Sequence, residues 1–563
     1  MKNISCSTKR AFKELRTNKT WIERLENEEQ TTNSRKGILN IATAFYESLY
    51  SEHNSTHYTN TRCNVIKTTD QTTPFDEKEV TDAINKLKLE KSPGSDLVTN
   101  EALKTASKLL VTPLTHLFNR ILESATAPKQ WSESNIILIY KKGAPQDISN
   151  YRPISLLPSV YKLFSSLINR RISAILEPAQ PVEQAGFRKS FSTIDHIHSL
   201  ELLIEKYKEN QKTLYIAFID YKKAFDTVSH TSIWSTLEEL QVNTKYIQVI
   251  KSIYNKCSGR VKLEKLGPSF PIKRGVRQGD PMSPTLFIAI LEFIIRKLDW
   301  KHSGLNIDGK YLSHLRFADD VVIFSESCDQ LQLMIQSLNE HSKRVGLEMN
   351  LSKTKIMTNG SNKRKITVND ITLQYTEKYI YLGKQLSFDR KSNDQEIERR
   401  IQLTWNKYWS LKEIFKNNLP VTLKSKVMNS CLLPCLTYAC QTWKFTSNTR
   451  NKITICQRGM ERSMLNVRKI QKIRHTKIRN FTRATDALNH SLRLKWKWAG
   501  HVARLQDERW AKRVTSWRGP VGQRLRGRPL TRWQDDIVGL AGHSWTKIAQ
   551  SRERWQALEE AFT

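Results

Sequence analysis

The stretch Tyr311-Leu-Ser-His-Leu-Arg-Phe-Ala-Asp-Asp-Val-Val-Ile-Phe-Ser325 decides the reading of this chain. A β-branched and aromatic run approaches two adjacent carboxylates, Asp319 and Asp320, and a second apolar run leaves them. Val, Ile and Phe favour a pleated sheet and Asp tolerates turn geometry. The pattern therefore predicts a strand, a tight turn at the Asp pair and a return strand. Such a turn presents negative charge at one end of a hairpin. Neighbouring carboxylates resist joint ionisation unless a cation lies between them, and a hard divalent ion with oxygen ligands suits the place. Taken alone, the stretch equally fits an ordinary Asp-containing β-turn.

A second carboxylate has the same setting. Thr213-Leu-Tyr-Ile-Ala-Phe-Ile-Asp220 is nearly continuous in apolar character, which predicts a strand buried on both faces and ending on Asp220. An Asp leaving a buried strand is costly unless paired or bound to metal. If that strand lies beside the 311–325 hairpin, Asp220 and Asp319 meet at one sheet edge, where two metal ions can be held.

Composition narrows the partners. The 563 residues suffice for about three or four domains. A hydrophobic content of 39% fits a globular protein, and a formal charge of +36 calls for a polyanion, with nucleic acid ahead of an anionic membrane surface. The best apolar run, Leu286-Phe-Ile-Ala-Ile-Leu291, is cut short by Glu292, far below the roughly 18 residues of a bilayer span. The polar, basic opening Met1-Lys-Asn-Ile-Ser-Cys predicts no secretory signal, so an intracellular location is expected. Eight scattered cysteines imply reduced thiols; Cys431, Cys435 and Cys440 lack a His at zinc-knuckle spacing.

Taken in order, Ile38–Tyr50 has helical apolar spacing. Thr73-Pro-Phe-Asp76 is expected to cap a helix through Lys88, and another follows from about Glu101. A strand over Asn135–Tyr140 leads into Lys141-Lys142-Gly143, and Asn150-Tyr-Arg-Pro-Ile-Ser-Leu-Leu157 is expected to open a long helix reaching about Ile175. These cations suit a phosphate grip or a solvated turn. Gln184-Ala-Gly-Phe-Arg188 reads as a basic turn hinged on glycine. Gly275-Val-Arg-Gln-Gly-Asp-Pro-Met-Ser-Pro284 is a loop whose backbone and Gln278 amide can approach a ligand closely, and it enters a helix over Thr285–Leu298. A helix over Gln330–Val345, a short hairpin at Tyr379–Leu386 and a helical region from Asp389 to about Met464 complete the middle of the chain.

The end differs in kind. Nineteen Lys or Arg stand against three acids between Arg468 and Arg532, and seven of the fourteen Trp fall between Trp496 and Trp555. Cations interleaved with large aromatics suit phosphate contact and base stacking. They equally suit a small helical domain with a tryptophan core and a basic face.

Five spaced motifs carry a resemblance: Asn-Tyr-Arg-Pro-Ile-Ser at 150, Phe-Ile-Asp-Tyr-Lys-Lys-Ala-Phe-Asp at 218, Arg-Gln-Gly-Asp-Pro-Met-Ser-Pro at 277, Phe-Ala-Asp-Asp at 317 and Tyr-Leu-Gly at 381. In this order they resemble the reverse transcriptases of non-LTR, LINE-type retrotransposons over roughly residues 75–390. Trp498-Ala-Gly-His-Val-Ala-Arg504, with Gly527-Arg-Pro529 and Trp533, is more loosely similar to the tail of such elements.

The resemblance implies an α+β right-hand polymerase with fingers, a palm built on an antiparallel sheet and a helical thumb, followed by a basic, Trp-rich tail. On that basis we divide the chain into an N-terminal extension (1–72), fingers (73–212), palm with part of the fingers (213–390), thumb (391–465) and tail (466–563). Asp220, Asp319 and Asp320 match the palm carboxylates that bind two Mg²⁺, with Mn²⁺ as a substitute. Phe225 falls where the family keeps an aromatic gate against a ribose 2′-OH. Gln278 and Gly279 match the loop facing the incoming nucleotide, Arg152 and Lys141 the cations on its triphosphate, and Lys353 the lysine near the leaving pyrophosphate. Tyr381, Leu382, Gly383 and Lys384 match a hairpin supporting the primer end. Trp496, Trp498, Arg504, Arg526 and Arg528 are assigned to nucleic-acid binding. The implied activity is RNA-directed DNA synthesis in target-primed retrotransposition, with an RNA template, a DNA primer or target and deoxynucleoside triphosphates as partners, and no membrane. The alternative is an idle or domesticated nucleic-acid-binding protein that keeps the fold. No endonuclease pattern precedes residue 75, so the expectation is a truncated reading frame or a partial gene model, with nicking supplied elsewhere or not at all.

Overall fold

The computed structural model describes residues 22–26, 31–52, 72–361, 363–524, 527 and 530–563. The first long element, α1 (Arg35–Tyr50), is capped by Ser34, whose side chain accepts from the Gly37 N–H. It buries Ile38, Ile41, Ala42, Tyr46 and Tyr50 on one face. Asp76, not Thr73, caps α2 (Glu77–Lys86), its carboxylate accepting from the Glu79 N–H at 2.6 Å. Only the residue next to the first turn can reach that donor.

Strands β1 (Glu133–Tyr140) and β2 (Tyr151–Leu156) follow, and α3 (Ser159–Leu176) comes after them. The expected helix from Asn150 is therefore corrected: six residues of strand precede it. Arg152 and Leu157 each stand before a proline, which disfavours helical geometry, and burial alternates from Tyr151 to Ser155 with period two. Next come α4 (Thr193–Glu209), β3 (Tyr215–Ile219), α5 (His230–Glu239), β4 (Ser258–Lys262), β5 (Leu266–Pro271) and α6 (Ser283–Arg296). The hairpin of β6 (His314–Phe317) and β7 (Asp320–Ser325) leads to α7 (Cys328–Arg344), β8 (Lys355–Thr358) and β9 (Gln374–Tyr375). A second hairpin, β10 (Lys378–Tyr381) and β11 (Lys384–Ser387), opens the helical remainder, in which α8 (Ser392–Ser410), α9 (Ser447–Met464), α10 (Ala487–Arg504) and α11 (Trp510–Ser516) are the elements used below.

Two sheets organise this α+β molecule. One has the order β6-β7-β3-β8-β9, antiparallel except for the β8–β9 pair; the other has the order β2-β1-β4-β5. The first sheet separates two cores, and its strands show how. Tyr215, Ala217 and Ile219 of β3, with Val321 and Ile323 of β7, face a core shared with α3, α6 and α7. Ile216, Phe218, Val322 and Phe324 face the other. Strand side chains alternate between faces, so a strand buried on both sides must be apolar throughout, as β3 is.

The second core runs without interruption from α4 and the sheet, through the helices after residue 390, to Trp496, Trp533, Trp555 and Phe562. The boundary set at residue 465 therefore crosses continuous apolar packing. α11 lies against α4, where Arg509 meets Asp195 and the His198 ring bonds the Thr515 hydroxyl at 2.9 Å. Among the described residues, no helix is long and apolar enough to cross a membrane.

Candidate active site

β3 and β7 pair antiparallel with Val321 opposite Ile219, so one step further along the ladder Asp320 stands across from Asp220. On the other side of β3, β8 places Lys355 opposite Phe218; two more steps bring Lys353 level with Asp220. Asp319 lies between β6 and β7 in a tight turn closed by the Phe317–Asp320 pair, with Ala318 at φ 58°. The three acids singled out from sequence thus share one end of one sheet.

The turn is braced from outside. The Gln184 side-chain oxygen accepts from the N–H groups of Gly186 at 2.8 Å and Ala318 at 3.3 Å. Ala185 N–H donates to the Arg316 carbonyl at 2.9 Å and Arg316 N–H to the Glu183 carbonyl at 2.8 Å. Residues 183–187 therefore run along β6 as a short extra rung. A Cβ on Gly186 would stand 2.3 Å from the Ala318 nitrogen, which only a glycine avoids. Arg188 is spent internally, on the carbonyls of Pro181 and Gln184.

Electrostatics at this edge is unresolved by the protein itself. Burial raises the Asp220 carboxyl and the Asp319 charge adds to the rise, against the pull of Lys353 and Lys141. Burial likewise raises Asp319, opposed by its own backbone N–H, Lys141 and Arg152. Asp320, open to the cleft on one side and crowded on the other, is pushed up to about 6 by burial and then by the charges of Asp319 and Asp220. No side-chain hydrogen bond reaches Asp220 or Asp320 among the described residues. Nor do three His, Cys, Asp or Glu side chains close into a cage for a metal among those residues. Mg²⁺ is commonly held by one or two carboxylates plus substrate phosphate and water, so this hard, mutually repelling oxygen set fits a divalent cation shared with a phosphate.

The remaining residues assigned from sequence fall in three places. Arg152, paired across the ladder with Ile139, and Lys141, whose N–H bonds the Asn150 carbonyl at 3.0 Å, project from β1 and β2 with exposed side chains. Phe225 stacks on Phe287 at 4.3 Å and meets the exposed Phe187 edge-on at 6.2 Å. Gly279 has φ 116°, and a Cβ there would stand 2.8 Å from the Ser155 carbonyl oxygen. Behind it, buried Arg277 bonds the Trp131 carbonyl at 2.7 Å and Asp280 at 3.3 Å, while Tyr161 and Ser165 donate to the same Asp280.

Lys384 and Tyr381 correct the expectation for the hairpin. Lys384 is buried and paired with Glu201 at 2.9 Å and the Thr442 hydroxyl at 2.6 Å, and Tyr381 is buried beside Phe218. Both serve the core, because a buried ammonium must find partners. Only Leu382 and Gly383 remain at the surface, their carbonyls bonded by Tyr438 and by Arg399 and Arg400.

The tail tryptophans are a second correction. Trp496 and Trp555 stack at 3.9 Å and exchange hydrogen bonds, each indole N–H donating to the other's carbonyl at 2.8 and 3.0 Å. Trp498 is 8% exposed and packs edge-on against His198. Neither ring can stack on a base, because together they supply the apolar centre of the tail. Arg504 is half-buried, bonding the Ala549 carbonyl at 2.6 Å. Arg526 and Arg528 lie outside the described residues.

Three residues near the site are not among those assigned from sequence. Tyr379 stacks on Phe218 at 4.0 Å, and its hydroxyl is raised to about 12 by burial and by the charges of Asp320 and Asp220. Asp226 is buried and accepts from Gln278 and Tyr50. Asp226 closes the Phe218–Asp226 motif, which was the signal available for it; Tyr50 is 176 residues from its partner, and no local pattern links them.

Residues 139–386 match the family model described as reverse transcriptase (RNA-dependent DNA polymerase). The chain is 27% identical over 398 residues to the RNA-directed DNA polymerase from mobile element jockey of Drosophila melanogaster, covering 68% of this chain and 43% of that protein. It is 30% identical over 236 residues to the retrovirus-related Pol polyprotein from type-1 retrotransposable element R2 of Nasonia vitripennis, covering 41% and 22%. The chain thus spans less than half the length of these curated relatives. Among solved structures, telomerase from Candida Tropicalis in complex with a fragment of telomeric RNA aligns over 74% of this chain and 68% of its own, with a TM-score of 0.36 and 13% identity, too distant to argue from. Residues 139–386 are thus similar to a reverse transcriptase domain, and the relatives aligned with this chain are proteins of mobile and retrotransposable elements.

Proposed function

We propose that this chain extends a DNA 3′ end on an RNA template by nucleotidyl transfer at the Asp220–Asp319–Asp320 edge. The observation that carries the reading is the ladder position of Asp320 across from Asp220, with Asp319 in the adjoining turn and no side-chain donor reaching Asp220 or Asp320 among the described residues. Two Mg²⁺ ions, or Mn²⁺ in their place, would be held by these carboxylates, and when bound they acidify a hydroxyl and neutralise phosphate charge. The protein's own part is positioning. Lys141 and Arg152 meet the triphosphate from the fingers side, and Lys353, level with Asp220, meets the leaving pyrophosphate. Phe225, held by its stack on Phe287, closes the space beside the sugar against a 2′-OH. Gln278 and Gly279 line the nucleotide, and the turn at Leu382-Gly383 backs the primer end. The partners follow: an RNA template, a DNA primer or target and deoxynucleoside triphosphates, with retrotransposition as the setting.

Primer extension on an RNA template, with Mg²⁺ and deoxynucleotides, tests this directly. Asp319→Asn should lower extension by at least about 10²-fold, as removal of one preorganised electrostatic group does elsewhere, with RNA binding retained. Near wild-type extension by the variant would sink the assignment.

A further inference from the structure

The loop that carries Gln278 is tied to a part of the chain far outside the matched domain. Tyr50, the last residue of α1, donates its hydroxyl to Asp226 Oδ1 at 3.0 Å. Gln278 Nε2 donates to the same carboxylate, at 2.8 Å to Oδ1 and 2.9 Å to Oδ2. Asp226 is 2% exposed and Tyr50 5%, so water does not replace either bond. The family match begins at residue 139, and α1 ends at residue 50.

Chemistry fixes what this contact does. A carboxylate only accepts, so the NH₂ end of the Gln278 amide must turn toward Asp226. Its oxygen then points the other way, and Gln278 itself is only half-buried. That leaves a hydrogen-bond acceptor, not a donor, on the open side of the loop. The loop backbone holds the same place: Gly275 N–H bonds the Val228 carbonyl and Val276 N–H the Phe225 carbonyl, both at 2.7 Å, while Ser155 N–H bonds the Gln278 carbonyl at 2.7 Å. With the backbone pinned at three points, the amide's remaining freedom is rotation about its side-chain bonds. Asp226 removes it.

We propose that Asp226, steadied by the Tyr50 hydroxyl, is a positioning residue that fixes the Gln278 amide with its oxygen toward the substrate, so that α1 belongs to the nucleotide-selecting machinery. This rests on the polymerase reading above and adds to it a role for a helix upstream of the matched domain. The group recognised is a hydroxyl or amino donor on the incoming nucleotide. Replacing Asp226 by Asn offers Gln278 both a donor and an acceptor, so the amide populates both orientations. Replacing Tyr50 by Phe keeps the ring, which stacks on Phe270 at 6.3 Å, and removes only the hydroxyl.

The test is steady-state primer extension by the full chain, with the deoxynucleotide as varied substrate, for wild type, Asp226→Asn, Tyr50→Phe and the double variant. Expected is a rise of about tenfold in KM for Asp226→Asn with kcat within about threefold, the pattern of lost substrate binding. Tyr50→Phe should raise KM by a smaller factor, and the double variant should be no worse than Asp226→Asn alone, because both act through one amide. Thermal melts accompany the kinetics, since a purely structural role would lower stability without a selective change in KM. If Asp226→Asn does not fold, Tyr50→Phe carries the test by itself. Unchanged KM in Tyr50→Phe, or strictly additive effects, would overturn the proposal while wild-type extension leaves the polymerase reading standing. A wild type that neither extends a primer nor binds nucleotide in a fluorescence titration overturns both.

Discussion

Charge is handled in opposite ways at the sheet edge and in the tail. At the ends of β3 and β7, Asp220 and Asp320 stand opposite each other, beside Asp319, with nothing in the protein bonded to the carboxylates of Asp220 and Asp320 among the described residues. In the tail, buried charge is answered. Lys495, fully buried, bonds both oxygens of Asp536 at 2.7 Å and the Trp443 carbonyl at 2.9 Å. Arg509 is shared between Asp507 and Asp195. Carboxylates that face one another without a donor call for a partner from outside, whereas the tail pairs answer themselves, so the sheet edge is the candidate site and the tail is architecture.

The comparison is broken most severely by removing one member of a tail pair. Asp536→Ala leaves the Lys495 ammonium buried with a lone carbonyl partner, at a cost of about 3–5 kcal/mol. Because Trp496, Trp533 and the strands of the first sheet share a single core, the loss should appear as one cooperative transition at lower denaturant, not as early unfolding of the tail alone. Chemical denaturation followed by tryptophan fluorescence and far-ultraviolet circular dichroism checks it. Two separated transitions would show that the tail is an independent unit.

The same contrast explains what could be read from sequence. The sheet edge was legible because its signals are local: Val-Val-Ile-Phe after two Asp, and an unbroken apolar run before another. Strand β3 and the 314–325 hairpin stand where those patterns put them. Their juxtaposition, which no local pattern fixes, is made by the ladder between Val321 and Ile219. Strand β2 is hidden in the pattern because Tyr-Arg-Pro-Ile-Ser-Leu is too short for apolar spacing to separate helix from strand. The two prolines held the answer. The tail was half legible. Composition identified cations and tryptophans, but whether an aromatic faces inward depends on a partner such as Trp555, 59 residues from Trp496. Lys384 misled for the same reason, since Glu201 and Thr442 lie far away in sequence.

At the sheet edge, an intermediate effect comes from Gly186. Gly186→Ala brings a methyl against the Ala318 nitrogen and must displace the turn that carries Asp319. Overpacking of this kind costs about 1–3 kcal/mol in stability, and a misplacement of about 1 Å at a reacting centre costs up to about 10²-fold in rate. Extension should therefore fall about 10- to 100-fold while RNA binding holds. Normal extension would mean that the 183–187 rung does not set the position of Asp319.

The smallest effect sharpens the comparison most, because its sign is opposite to that in the tail. In solution free of divalent cations, the Asp320 carboxyl is pushed up to about 6 in the folded chain, against 3.8 for the free side chain. The folded state therefore binds more protons than the unfolded one between these values. The penalty of holding Asp320 ionised is complete above about pH 6, is relieved as pH falls through 6, and is gone below 3.8. Asp320→Asn should thus stabilise the protein at pH 7.5, where Asp536→Ala destabilises it. Solvent on the open side of Asp320 screens the repulsion, so the gain is about 1 kcal/mol or less. It should shrink at pH 5, where wild type is itself protonated, and Mg²⁺ should close the gap at pH 7.5 by stabilising wild type more than the variant. Thermal melts at the two pH values, with chelator and with Mg²⁺, measure all three comparisons. A variant less stable than wild type in chelator at pH 7.5 would mean that the carboxylates at this edge do not oppose one another, and the reason for placing a cation there would be lost.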